Sequence, residues 1–182
     1  MSATNGIDVA AFKQFSDAVD KTPDNAGARF FVSTEWKGQT RTVATVKSYD
    51  LRGETHERDF TIEADEPNEL LGTNTAPNPQ ELLMAALNAC LAVGYSVVAA
   101  KMGVTLRSLK IDTSGELDLR GFLGLDQSVN PGYDEVRYTV TVDADGTDEQ
   151  LEQIHQAVMA ISPNYANFAK PIRMIPTLDI VR

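Results

Sequence analysis

Hydrophobic and polar positions along the chain change period several times, and each change marks an element. Residues 7–20 put Val9, Phe12, Phe15 and Val19 at helical spacing before TPDNAG breaks the pattern, which predicts a short leading helix. From Ala28 the period drops to two through ARFFVSTEW, TRTVATVKSY and RDFTIEAD, with turns at Lys37-Gly38 and Arg52-Gly53. An antiparallel three-stranded meander is expected. The stretch EPNELLGTNTAPNP, rich in Pro, Asn and Thr, reads as a loop feeding a helix over residues 79–102. That helix has Asn78 as N-cap, Pro79 at its first position, Glu81 as capping-box partner and Gly103 just past Met102. Its interior, LLMAALNACLAVGYSVVAA, is apolar nearly all round, the pattern of a helix buried in a core. Asn88, Gly94 and Ser96 interrupt the run and no basic anchors flank it, which argues against a membrane span.

The second half continues with two alternating runs, LRSLKIDTSGELDLR and YDEVRYTVTVD, separated by the loop GFLGLDQSVNPG. Thr147 then opens a helix with Gln150 as capping-box partner and Leu151, Ile154, Val158 and Ile161 as its apolar stripe, ending at Ser162-Pro163. A short piece, PNYANFA, and a final extended run, IRMIPTLDIV, close the sequence. The class is α+β: a helical extension over residues 1–27 and one domain over 28–182.

Composition narrows the partners. The chain has 182 residues, 42% of them hydrophobic, enough for one sizeable core. Its 26 Asp and Glu against 16 Lys and Arg give a net charge of -10, which repels phosphate backbones and anionic lipid. No nucleic acid or membrane partner is expected. The first residues carry no basic segment followed by an apolar run, so a cytoplasmic protein is expected. Cys90 is the single cysteine, and only His56 and His155 accompany it as other soft ligands, so neither an internal disulfide, a metal site nor a cofactor is expected.

The string TAPNPQELLMAALNACLAVGYSV, followed by PGYDEVRYTVTVD and VMAISPNYANFAKPI, resembles the OsmC/Ohr family of osmotically inducible and organic hydroperoxide resistance proteins, over roughly residues 28–182. The resemblance implies antiparallel sheets wrapped around a long central helix in an intertwined homodimer. In the family's peroxidases it implies a cysteine that attacks a hydroperoxide, an arginine and a glutamate that hold the thiolate and orient the substrate, and a second cysteine that closes a disulfide. On this sequence Cys90 matches the attacking cysteine. Gln80 stands at the glutamate position, with Glu81 beside it, rotated by about 100° on the helix. The arginine is Arg52 or Arg41, with Arg52 preferred, and the second cysteine is replaced by Ser162.

These replacements exclude a two-cysteine peroxidase and leave a one-cysteine enzyme that reduces organic hydroperoxides in oxidative stress defence with an external thiol as reductant. The alternative is a non-catalytic protein of the same fold that binds an apolar or acyl ligand in the dimer interface. Each site residue also has a plain role: Cys90 as a small buried hydrophobe, Arg52 and Arg41 as solvated charges, Glu81 as a cap, Ser162 as a helix end. Tyr95 and Phe168 either line a pocket beside Cys90 or fill the core. Gln80 and Cys90, ten residues apart, lie about 15 Å apart along a straight helix, so a pocket using both takes Gln80 from the partner subunit.

Overall fold

The computed structural model of the chain describes residues 3–181; Met1, Ser2 and Arg182, at the outer ends of the two expected segments, lie outside the described residues. The chain packs as two compact units, the first up to Ala85 and the second from Ala86.

The first unit opens with helix α1 (Val9–Lys21), whose N-cap Asp8 accepts from the Ala11 N–H. It is followed by strands β1 (Ala28–Phe30), β2 (Ser33–Trp36), β3 (Thr42–Leu51) and β4 (Glu54–Ala64). The three-stranded meander expected from the sequence is therefore four-stranded. Residues 31–32 interrupt the first alternating run, and both halves pair antiparallel with β3, which also carries β4 on its other edge. A two-residue turn joins β3 to β4, with Arg52 at φ 53 and Gly53 at φ 84, the mirror-image turn geometry that matches strand twist. The register sets Ala44 opposite Ile62, Val46 opposite Phe60 and Trp36 opposite Thr42, so these side chains share one face. That face is open: Trp36 is 72% exposed and Phe60 57%.

After β4 the chain turns on Asp65, which is 1% exposed. Its carboxylate accepts from the Thr40, Thr73 and Thr75 hydroxyls and from the N–H groups of Glu66, Thr73 and Thr75. These bonds hold its carboxyl well below the usual carboxylate range, the Thr40 and Thr73 hydroxyls contributing most. Gly72 packs so tightly against Glu66 that a Cβ there would sit 1.7 Å from the Glu66 carbonyl oxygen. The loop is thereby fixed just ahead of helix α2 (Pro79–Lys101).

In the second unit α2 is followed by β5 (Leu106–Gly115), the four-residue helix α3 (Leu119–Phe122), β6 (Val136–Ala144), α4 (Asp148–Ile161) and α5 (Pro163–Ala169). Strand β5 stops short of the expected run, because Asp118 caps α3 by accepting from the Arg120 N–H, a local bond that outcompetes the alternation of ELDLR. The antiparallel pair β5–β6 turns alternate side chains inward. Leu87, Leu91, Tyr95 and Val98 of α2 form the core with Val104, Ile154 and Val158. Asn88, the polar interruption of the apolar helix, donates to the Ile111 carbonyl at 3.2 Å and accepts from the Thr113 hydroxyl at 2.5 Å.

Helix α2 is long and apolar enough to cross a membrane by length and composition. It does not bury all its sides, as its sequence led one to expect: Leu83 is 43% and Val93 64% exposed. Ile161, assigned to the α4 stripe, is also exposed, at 59%. The final run, residues 171–181, forms no hydrogen-bonded strand and leaves its apolar side chains in the open.

Candidate functional site around Cys90

Three small or slender residues of α2, Ala86, Cys90 and Gly94, recur every fourth position and so lie along one face of the helix. The α4–α5 segment runs antiparallel past that face. Asn164 donates through Nδ2 to the Ala86 carbonyl at 2.8 Å. Ser162 Oγ lies 3.3 Å from Cys90 Sγ. Val158 approaches Gly94 so closely that a Cβ on the glycine would come within 2.9 Å of it. The absence of a side chain at Gly94 thus lets the two helices close up, and the closure sets the hydroxyl beside the sulfur.

Ser162 is the hinge of this arrangement. It is 4% exposed, ends α4 with its N–H donating to the Val158 carbonyl, and caps α5 by accepting from the Tyr165 N–H at 3.2 Å. Because the oxygen accepts there, its own hydrogen is available to the sulfur, and an ionised sulfur can only accept. Cys90 is half-buried. It therefore combines access for a small reagent with a fixed donor at the sulfur.

The other candidate residues divide between elements. Glu81 accepts from the Asn78 N–H at 2.8 Å while Asn78 accepts from the Glu81 N–H at 2.8 Å, a reciprocal capping box. Gln80 is exposed in the first turn of α2, and Arg41 is exposed at the end of the β2–β3 turn, where its N–H donates to the Gly38 carbonyl. Arg52 turns towards α1: Nη2 donates to Thr22 Oγ1 at 3.1 Å and lies 3.5 Å from the Ala18 carbonyl oxygen, while Nε is buried without a partner.

Tyr95 belongs to the core, 3% exposed, with its hydroxyl on His155 Nδ1. Burial pushes its phenol up to about 12. Phe168 does line a cavity, together with Leu87, Tyr133, Tyr138 and Tyr165. Three contributors went unread in the sequence: Asn164, Gly94 and Tyr165. The fourfold spacing of Ala86, Cys90 and Gly94 was the available signal for a close helix approach.

No curated protein matches the sequence. In structure the chain is similar to an OsmC-like protein from Mycoplasma pneumoniae, with 13% identity, 78% of this chain and 87% of that one covered, and a TM-score of 0.62. It is also similar to an OsmC-like protein from Vibrio cholerae O1 biovar eltor, with 17% identity, 75% and 91% covered, and a TM-score of 0.52. At these identities the likeness speaks for the fold. The sequence profile described as OsmC-like protein matches residues 72–176, which span the loop before α2, all of α2, the β5–β6 pair and both closing helices. With more than half of its length matched, the chain belongs to the OsmC-like protein family.

Proposed function

We propose that this chain is a thiol-dependent peroxidase that reduces organic hydroperoxides through Cys90 alone, in defence against oxidative stress. The observation that carries the reading is the half-buried sulfur with the Ser162 hydroxyl 3.3 Å away. Family membership supports it. The Cys90 thiolate attacks the terminal oxygen of the hydroperoxide. An S–O bond forms as the O–O bond breaks, and the departing alkoxide takes up a proton and leaves as the alcohol. Sulfur is oxidised by two electrons to the sulfenic acid while the peroxide is reduced. The Ser162 O–H is suited to donate first to the thiolate and then to the sulfenate oxygen.

Recycling draws on a low-molecular-weight or protein thiol. One thiol condenses with the sulfenic acid, releasing water and forming a mixed disulfide, and a second thiol displaces Cys90. Arg52, with Arg41 as the other candidate, and Gln80 are proposed to orient the peroxide, Gln80 by hydrogen bonding without the charge of a carboxylate. The protein acts as a homodimer in which residues 28–182 form the OsmC-like domain and residues 1–27 an extension.

A second reading, a non-catalytic binder of an apolar or acyl ligand, draws support from the cavity lined by Leu87, Tyr138, Tyr165 and Phe168. Peroxide consumption with cumene hydroperoxide and dithiothreitol separates the two. Turnover that vanishes in Cys90→Ser supports the enzyme, and consumption no faster than the buffer blank supports the binder.

A further inference from the structure

Strands β5 and β6 end as direct partners, Gly115 opposite Val136, a gap that about two to five residues can close. Residues 116–135 close it instead, and they fold back on themselves. Gly121 packs so tightly against residues 129–130 that a Cβ there would lie 2.7 Å from the Asn130 carbonyl oxygen. Gly124, at φ 67, ends α3 with its N–H on the Gly121 carbonyl, and the Leu125 N–H reaches back to the Arg120 carbonyl at 2.8 Å, the paired bonds of a glycine C-cap. The Asn130 amide donates to Asp134, and the Gly132 N–H to Asn130 Oδ1.

This inner packing decides what α3 presents to solvent. At about 100° per residue, Leu119, Phe122 and Leu123 fall on one side of the turn and Gly121 on the other. The glycine side meets the loop, so the three apolar side chains face outward, and they and Leu125 are all exposed. An apolar cluster held up on a rigid loop marks a contact surface, as single exposed side chains do not. The charge beside it is negative. An open cavity of about 890 Å³ has Glu116, Asp118, Leu119, Asp134, Glu135 and Arg137 in its lining, so Leu119 belongs to cluster and cavity alike. The two cations nearby are engaged, Arg120 by Asp118 and Arg137 by Glu135. Glu116 and Asp134 have no cationic partner among the described residues.

We propose that this loop is a docking surface for a basic amphipathic segment of a partner protein, whose apolar side chains sit on Phe122 and Leu123 and whose lysines or arginines enter the acidic cavity. Charge decides the occupant. A second copy meeting this loop with its own would bring the same carboxylates to the contact, where like charges repel. Anionic lipid is repelled by the same groups. A basic segment instead covers the apolar cluster and pairs Glu116 and Asp134 at once. Docking here requires no chemistry at Cys90.

Two synthetic peptides probe the surface on the full chain, one of leucine and lysine at helical spacing and one with glutamate in place of each lysine. Fluorescence anisotropy gives the affinities, and amide shifts in NMR locate the contact on the parent protein. The lysine peptide is expected to bind at least about tenfold more tightly than the glutamate peptide, with shifts centred on residues 119–125. Phe122→Ser combined with Leu123→Ser should weaken it at least about tenfold, and Glu116→Gln combined with Asp134→Asn at least about threefold. Asp17→Asn combined with Glu57→Gln, which removes as much charge from the first unit, should leave the affinity unchanged. Equal binding of the two peptides, equal weakening by the two charge-removing pairs, or shifts centred away from the loop would overturn the docking surface. Loss of self-association in Phe122→Ser with Leu123→Ser, seen by sedimentation without peptide, would overturn it in favour of a second copy.

Discussion

Cys90 Sγ and Ser162 Oγ lie 3.3 Å apart across the contact between α2 and the α4–α5 junction. A second sulfur at position 162 would need only a modest inward shift to reach the about 2.05 Å of a disulfide. Ser162→Cys is therefore expected to form an internal disulfide on oxidation and to recycle faster with dithiols. Thiol titration with intact mass spectrometry checks this. Two titratable thiols in the oxidised variant would contradict the geometry. The same hydroxyl caps α5, so Ser162→Ala should lower stability by about 0.5–2 kcal/mol, measured by urea unfolding.

Gly94 sets the spacing on which this contact depends. A methyl group there meets Val158 at 2.9 Å, so Gly94→Ala should cost about 1–3 kcal/mol through overpacking, against the small gain expected for alanine in an open helix. Gly94→Ala combined with Val158→Ala should recover part of the loss. A single variant as stable as the parent in urea would show that the helices have room to spare.

Asp65 gives the first unit a defined acid sensitivity. Its carboxyl is held low in the folded chain by the Thr40, Thr73 and Thr75 bonds. The stabilisation is therefore fully present above the unfolded value of about 3.9 and is lost as pH falls below it towards the folded value. Asp65→Asn should be less stable at pH 7 and should show a shallower loss of stability between about pH 4 and pH 2. Parallel acid limbs for parent and variant in urea melts would contradict this.

Leu83 and Val93 on α2, and Ile172, Met174, Leu178 and Ile180 in the final run, are apolar and exposed. Together they make the proposed homodimer the natural way to bury them. Sedimentation at micromolar concentration should give twice the 19.8 kDa chain mass. Mixing Cys90→Ala with Gln80→Ala, each first shown to be inactive as a homodimer, should restore activity if one pocket draws on both chains. No recovery after verified exchange would assign the site to one chain.

Much of the fold was legible because local signals agreed with tertiary packing. Asn78 and Glu81, Thr147 and Gln150, and the Arg52-Gly53 turn all form as their residue types imply. The break in the first strand run was not legible, since both halves alternate and both find the same partner, β3. The end of β5 was missed because one cap at Asp118 outweighed a continuing alternation. In the candidate site, the juxtaposition of residues 90 and 162 followed from family resemblance and not from period or spacing. The engagement of Arg52 by Thr22 and Ala18 depends on where α1 docks, which no local pattern encodes.

The proposed activity turns on reaction of the Cys90 sulfur with hydroperoxide. Mass spectrometry of the peptide bearing Cys90, after brief exposure to cumene hydroperoxide with and without a sulfenic-acid trap, measures this directly. A trapped adduct on Cys90 is expected within seconds at stoichiometric peroxide, with reduced intensity in Ser162→Ala. A Cys90 that stays fully reduced under excess peroxide, in protein shown to be folded, would contradict it.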